Sequence, residues 1–220
     1  MNRTPLIILV AVLVLGGILL FLTAFMDIVV LLVHNIPQED MATDYIMGVT
    51  WALFIGISIL LWPVPGKDKR PLLWAWLAKC FVTLGFMLIY ENHYPTDAMG
   101  YYQYGTDSNF VWDMFLIGDG SGNMYRLAHL HSLVFPDSFH MMKVSFSLFG
   151  FIALYLFYRA GVQFTGKEDN RVFYSMMLFP THIFWSSIIG KDPIILLGIA
   201  LYAYGVTAWH RTNKFRYLLV

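Results

Sequence analysis

Charge is scarce in this chain: charged residues make up 13% of the 220 and hydrophobic residues 58%. A soluble domain carries roughly a quarter charged residues, so the scarcity excludes an ordinary soluble fold. Cysteine is scarcer still. Cys80 stands alone, so no intrachain disulfide can form, and its place inside an apolar run reads as a small buried hydrophobe. Nor is there net charge: 14 Lys and Arg offset 14 Asp and Glu, which leaves no electrostatic reason to expect nucleic acid as a partner. A Walker or dinucleotide glycine loop is missing as well.

Long apolar runs take the place of these features, and mean hydropathy is +0.62. Six segments have about the length a bilayer demands: 5–26, 45–62, 72–90, 141–158, 172–190 and 193–209. The first follows a short basic start, but its apolar core exceeds a signal-peptide h-region and no small-x-small cleavage site follows. It reads as a retained span. The expected fold class is an all-α integral membrane protein, a single polytopic domain over 1–220, with short interfacial helices in one long extracytoplasmic loop, 91–140.

The gaps between these segments set the expected orientation. Arg3, Lys67, Lys69, Arg70, Arg159, Lys167, Arg171, Arg211, Lys214 and Arg216 fall on one side, ten of the fourteen basic residues. By the positive-inside rule that side is the cytoplasm, with both termini there. Eleven of the fourteen acids fall on the other side, among them Asp27, Asp44, Asp97 and Asp192. Acids contribute little to insertion, so topology does not account for this excess.

The loop 91–140 is rich in aromatics, from Tyr94 to Phe139, and disordered segments are poor in them. Order is therefore expected. GDGSGN at 118–123 lacks the glycines of a nucleophile elbow and the ligands of a calcium loop, so it reads as a turn. HLH at 129–131 has no metal-pair spacing and reads as interfacial histidines. No metal and no cofactor are expected.

YPTDAMGYYQYG, 94–105, is more specific. A helix capped by Thr96 and started at Asp97 would set Asp97, Tyr101 and Tyr104 on one face at i, i+4 and i+7, ending at Gly105. One carboxylate and stacking rings can hold a sugar and take a proton from a hydroxyl. The competing reading makes Asp97 a complement to the helix dipole and the rings an aromatic belt. Asp27 interrupts an apolar run near its outer end, where a membrane-depth acid and a wetted one are equally open. Glu39, Asp40 and Asp44 read as a short solvated loop, and Lys79 as a lysine snorkelling to the cytoplasmic face.

A second stretch, FPTHIFWSSIIGKDPIILLGI at 179–199, carries a helix-start signature, Asp192 as N-cap and Pro193 at N1. Lys191, Ser186 and Ser187 then gather near a helix N-terminus, which favours anions such as a phosphate. A tight interhelical turn with a snorkelled lysine explains Asp192 and Pro193 equally well. Pro180 with His182 suggests a kink in the fifth span.

Together the two stretches and the overall layout resemble bacterial multispanning GT-C-like glycosyltransferases and exopolysaccharide polymerases. The matching stretches cover about a seventh of the chain. The resemblance implies a bacterial inner-membrane enzyme of polysaccharide or glycolipid assembly. Its partners would be a polyprenyl-phosphate-linked sugar donor, membrane lipids and polysaccharide-assembly proteins. Carried over, Asp97 is the catalytic base, with Asp27 and Asp44 as the alternatives, because in that family the key acid usually lies in the first outer loop. Lys191 and Ser187 would contact the donor phosphate, and Tyr101 and Tyr104 the sugar. Such proteins usually have more than six spans, and a chain stopping at Val220 with no clear ending is expected of the N-terminal part of a longer protein. Two other readings stay open: a transporter using Asp27 and His182, and a non-catalytic subunit of a polysaccharide export complex. Against transport, the polar residues gather in one outer loop and no repeat is visible.

Overall fold

The computed structural model describes residues 41–112 and 115–219, with positions 9, 12, 13 and 16. The expected span 5–26, apart from those four positions, and Asp27 lie outside the described residues. Every element among the described residues is helical. In chain order the α-helices are α1 (Met41–Ser58), α2 (Gly66–Phe81), α3 (Met87–His93), α4 (Asp97–Thr106), α5 (Gly120–Ser132), α6 (Phe139–Thr165), α7 (Asn170–Met177), α8 (Pro180–Trp185) and α9 (Lys191–Thr212). Among the described residues, four columns are long and apolar enough to cross a membrane: Met41–Leu61, Gly66–His93, Phe139–Thr165 and Lys191–Thr212. They contain the expected spans 45–62, 72–90, 141–158 and 193–209 almost entirely.

Helix α6 is the central post, with α1 and α9 packed along it. Its ends are written in the sequence. Ser138 caps it by accepting from the Met141 N–H at 3.1 Å. Gly166 then takes the left-handed conformation (φ 70°) and returns its N–H to the Val162 carbonyl at 2.8 Å. Two glycines let neighbours touch its side. A Cβ on Gly48 would lie 2.6 Å from the His140 Cβ, and one on Gly150 would lie 2.5 Å from the Ser186 Cβ. Apolar packing fills the remainder, around Trp76, Phe146 and Phe151. Trp76 meets Phe151 edge-on at 5.2 Å and donates its indole N–H to the Ala52 carbonyl at 2.9 Å.

The second column, Gly66–His93, is interrupted by a π turn at Val82–Phe86. Side chains take up carbonyls there: Thr83 donates to the Lys79 carbonyl and Tyr45 to the Leu84 carbonyl, each at 2.9 Å. The expected span 172–190 differs more. Instead of one helix it forms α7, a break, α8 and an irregular stretch over 186–190. Pro180 is the cause. It lacks the N–H that would continue α7 and drives Phe179 into an extended conformation (ψ 124°). The segment still runs the length of the bundle. Phe173 packs edge-on against Tyr158 at 5.1 Å near one end, and Phe184 against Tyr90 at 5.1 Å near the other.

Lys79 is the second correction. It does not reach a surface: it is 1% exposed and donates to the Ile183 carbonyl at 3.2 Å and to the Ser186 hydroxyl. The Ile183 carbonyl, near the C-terminus of α8, lacks a backbone helical partner, and the buried Lys79 nitrogen supplies a donor.

The bundle has two polar ends. At one, Asp68 accepts from Tyr155 (2.7 Å) and Arg159 (3.2 Å), and Glu168 from Arg159 (3.3 Å) and Lys67. Those ion pairs lower the Glu168 pKa, the Lys67 hydrogen bond most. Lys67 and Arg159, expected on one side of the membrane, thus meet at one end of the fold. The opposite end carries α4, α5 and the starts of α6 and α9.

Candidate functional site: a polar cavity between two helix starts

The helix expected at Asp97 forms: α4 begins there, with Thr96 in the N-cap position but making no side-chain cap bond. It continues one residue past Gly105, to Thr106. Its three-residue face divides. Tyr101 is buried, whereas Tyr104 is 62% exposed and turns to Tyr125 of α5 at 5.1 Å. Packing decides this, because α4 lies flat on α5 with Gly105 against Ala128. His129 ties the pair by bonding the Gly105 carbonyl at 2.9 Å and stacking on Phe110 at 4.3 Å.

GDGSGN is a turn only at its start: Gly118 turns, Asp119 caps, and 120–123 already belong to α5. Gly118 sits at φ 89°, and Asp119 caps the helix by accepting from the Gly122 N–H at 2.9 Å. That bond, more than Arg126 at 3.1 Å or nearby Lys191, holds the Asp119 carboxyl below its ordinary range. Lys191 lies along this turn: a Cβ on Gly120 would meet its Cε at 3.4 Å.

Helix α9 starts two residues earlier than expected. Gly190 is its N-cap, and Lys191 and Asp192 occupy the first turn. Between the starts of α4 and α9 opens a cavity of about 330 Å³, whose walls include Tyr90, Asp97, Tyr101, Trp185, Lys191 and Asp192. The two stretches singled out in the sequence therefore face each other across one cavity. Among the described residues neither Asp97 nor Lys191 has an ion pair. A carboxylate able to accept a proton, an ammonium beside a helix N-terminus and two phenol rings surround a space open to solutes.

Ser187 and Tyr104 do not line this cavity. Ser187 is fully buried and returns its hydroxyl proton to the Ile183 carbonyl at 2.5 Å, the usual recourse of a hydroxyl just past a helix end. Ser186 is likewise buried, held by Lys79. Asp44 is elsewhere too. It lies in the first turn of α1, not in a loop, accepting from Ser138 at 2.5 Å and from the His140 ring.

Next to the cavity is an ion pair the sequence reading missed. Lys143 of α6 donates to Glu91 of α3 at 2.7 Å, with side chains 0% and 3% exposed. An acid closing one apolar run and a lysine just inside the next was the available signal. Tyr102 of α4, whose ring meets Phe139 of α6 at 5.5 Å, has its pKa raised to about 12, chiefly by burial and then by Asp44 and Asp137. Among the described residues no group of three or more His, Cys, Asp and Glu side chains gathers as metal ligands would. Comparison with protein-family models, curated proteins and solved structures returned no match.

Proposed function

We propose that the chain is a membrane glycosyltransferase or polymerase. It would move a sugar from a polyprenyl-phosphate-linked donor to a hydroxyl acceptor on the extracytoplasmic face, in polysaccharide or glycolipid assembly. The observation that carries this reading is the sharing of one cavity by Asp97 and Lys191. In the reaction the anomeric C–O bond to the phosphate breaks and its electron pair leaves on the phosphate oxygen. A new bond forms from the acceptor oxygen to that carbon, and the acceptor proton passes to the Asp97 carboxylate. Lys191 and the first amides of α9 meet the charge growing on the phosphate. Tyr90 and Tyr101 offer ring faces to the sugar.

The same reading places the protein in a bacterial inner membrane with both termini cytoplasmic and polysaccharide-assembly proteins as partners. It gives the chain six crossings, the fifth being the broken segment 172–190. One observation favours the transporter alternative: that segment breaks beside buried Lys79, and interrupted helices often line transport sites. It ranks second because Lys79 is enclosed by protein groups, 1% exposed and bonded to the Ile183 carbonyl and the Ser186 hydroxyl.

The experiment is product formation by membranes carrying Asp97→Asn or Lys191→Ala. Removing a positioned base is expected to lower the rate about a hundredfold or more. Lys191→Ala is expected to weaken donor binding instead. Activity within severalfold of wild type in Asp97→Asn would remove this base assignment, and loss only on substituting Asp27 would move it to the first outer loop.

A further inference from the structure

An apolar groove of about 500 Å³ runs between α1 and α2. Its buried residues Ala52, Trp76 and Leu84 form the floor, where the Trp76 indole donates to the Ala52 carbonyl at 2.9 Å. Leu53, Ile57, Trp74 and Leu77 are exposed and form the rims. Among the described residues Arg70 alone brings a charge to the lining, at the end of the fold where Lys67 meets Glu168. None of these residues lines the polar cavity, so the groove stands apart from the donor-site reading.

We infer that this groove is a binding site for an anionic phospholipid, with its phosphate on Arg70 and one acyl chain along Trp74 and Leu77. Charge selects the head. Arg70 is exposed and makes no ion pair among the described residues, whereas Lys67 is taken by Glu168 and Lys69 by the Leu60 carbonyl. A guanidinium fork matches the oxygens of a phosphodiester. A zwitterionic head would bring a second cation beside Lys67 and Lys69, and a glycerol head would not. Spacing selects the chain. Trp74 and Leu77 follow Arg70 at i+4 and i+7, so all three share one face of α2. From Arg70 to Leu84 the helix covers about 21 Å at roughly 1.5 Å per residue. That exceeds the ~15 Å of one leaflet, half of a hydrocarbon core of roughly 30 Å. The volume falls within the roughly 300–1,000 Å³ of clefts that enclose small molecules. An ordinary lipid-facing helix surface needs neither a cavity nor a cation, and here the two coincide.

The test reads Trp74 in the full chain reconstituted in phosphatidylcholine vesicles, as wild-type fluorescence less that of Trp74→Phe. Phosphatidylglycerol or phosphatidylcholine brominated in the upper half of one chain, which quenches indoles on contact, is then added stepwise. Half-quenching is expected at a mole fraction about tenfold lower for the phosphatidylglycerol, the scale of one charge-assisted hydrogen bond. Arg70→Gln should erase that preference and leave Trp74 open to both lipids. Lys167→Gln removes a charge beside Glu168, at the same end but outside the groove, and should leave the preference unchanged. Equal quenching by the two lipids in wild type would reduce the groove to ordinary lipid contact and overturn the proposal. A preference that survives Arg70→Gln, or falls equally in Lys167→Gln, overturns it too, because surface charge alone then explains the result. If neither lipid quenches Trp74, protein rather than lipid covers the groove and the site does not exist. None of these outcomes bears on Asp97 or Lys191.

Discussion

Two polar groups sit side by side at one end of this bundle and are built on opposite terms. Glu91 and Lys143 are sealed from solvent and face each other at 2.7 Å, while Asp44 is held by Ser138 and His140. Asp97 and Lys191 face a cavity and leave each other unpaired. A buried charge satisfied by protein is already spent on architecture, because removing its partner strands it in low dielectric. A charge facing open space keeps its capacity for a ligand. The contrast separates the acids at this end of the bundle far better than their sequence positions do.

The sharpest way to break the comparison is to remove one charge from each group. Asp97→Asn should lose product by about 10²–10⁴ in rate with an unchanged thermal midpoint. Glu91→Gln should do the reverse, destabilising by about 3–5 kcal/mol as Lys143 is left without its carboxylate. The combined change Glu91→Leu with Lys143→Met should recover most of that loss, since a well-packed apolar pair avoids the desolvation of both ions. Denaturation and product assays on the same preparations decide it. An unfolded Asp97→Asn, or a stable but inactive Glu91→Gln, would reverse the roles.

A smaller effect tests whether the broken segment is packed against the post as tightly as it looks. Gly150→Ala on α6 places a methyl 2.5 Å from the Ser186 Cβ and 2.7 Å from its carbonyl oxygen. Backbone must move, at a cost of about 1–3 kcal/mol. Gly161→Ala on the same helix meets nothing within 4 Å. There the better helix propensity should stabilise by about 1 kcal/mol. Thermal midpoints moving in the same direction would mean that α8 gives way to the added methyl.

Much of this was legible beforehand because it is local. The lengths of the four long columns and the helix start at Asp97 follow from hydropathy and local sequence over a few residues, whereas 118–123, read as a turn, is mostly the first turn of α5. What the sequence hid was tertiary. Tyr104 parts from Asp97 because Gly105 lets α5 press against one side of α4. Ser187 looked like a phosphate contact by proximity to Lys191, yet the end of α8 points its hydroxyl back at Ile183. Lys79 looked free to snorkel, and only the break at Pro180 supplies carbonyls to hold it inside. Periodicity reports which face of a helix is apolar. It does not report where a neighbouring helix stops.

The smallest effect concerns His131, at the end of α5 and outside the membrane-length columns. Its Nε2 bonds the Ser145 hydroxyl at 2.9 Å and its ring lies against Phe135 at 4.7 Å. Its Nδ1 is buried with no hydrogen-bond partner among the described residues. Burial disfavours the charged ring and lowers its pKa from 6.5 to about 4. Folding therefore favours the neutral form. Above pH 6.5 neither folded nor unfolded chain is protonated here, and His131 adds no pH dependence. Between about 6.5 and 4 the unfolded chain binds the extra proton, so stability falls as pH falls; below about 4 both states are protonated and the loss levels off. The informative window is pH 7 to 5.5, above the range where ordinary carboxylates titrate. There, hydrogen exchange over residues 120–132 should quicken on acidification in wild type. His131→Gln keeps a polar contact for Ser145 and has no proton to gain, so its exchange should stay flat. An equal acid response in both would show that the ring is not held neutral by burial. The buried side of the comparison would then be less tightly sealed than its geometry indicates.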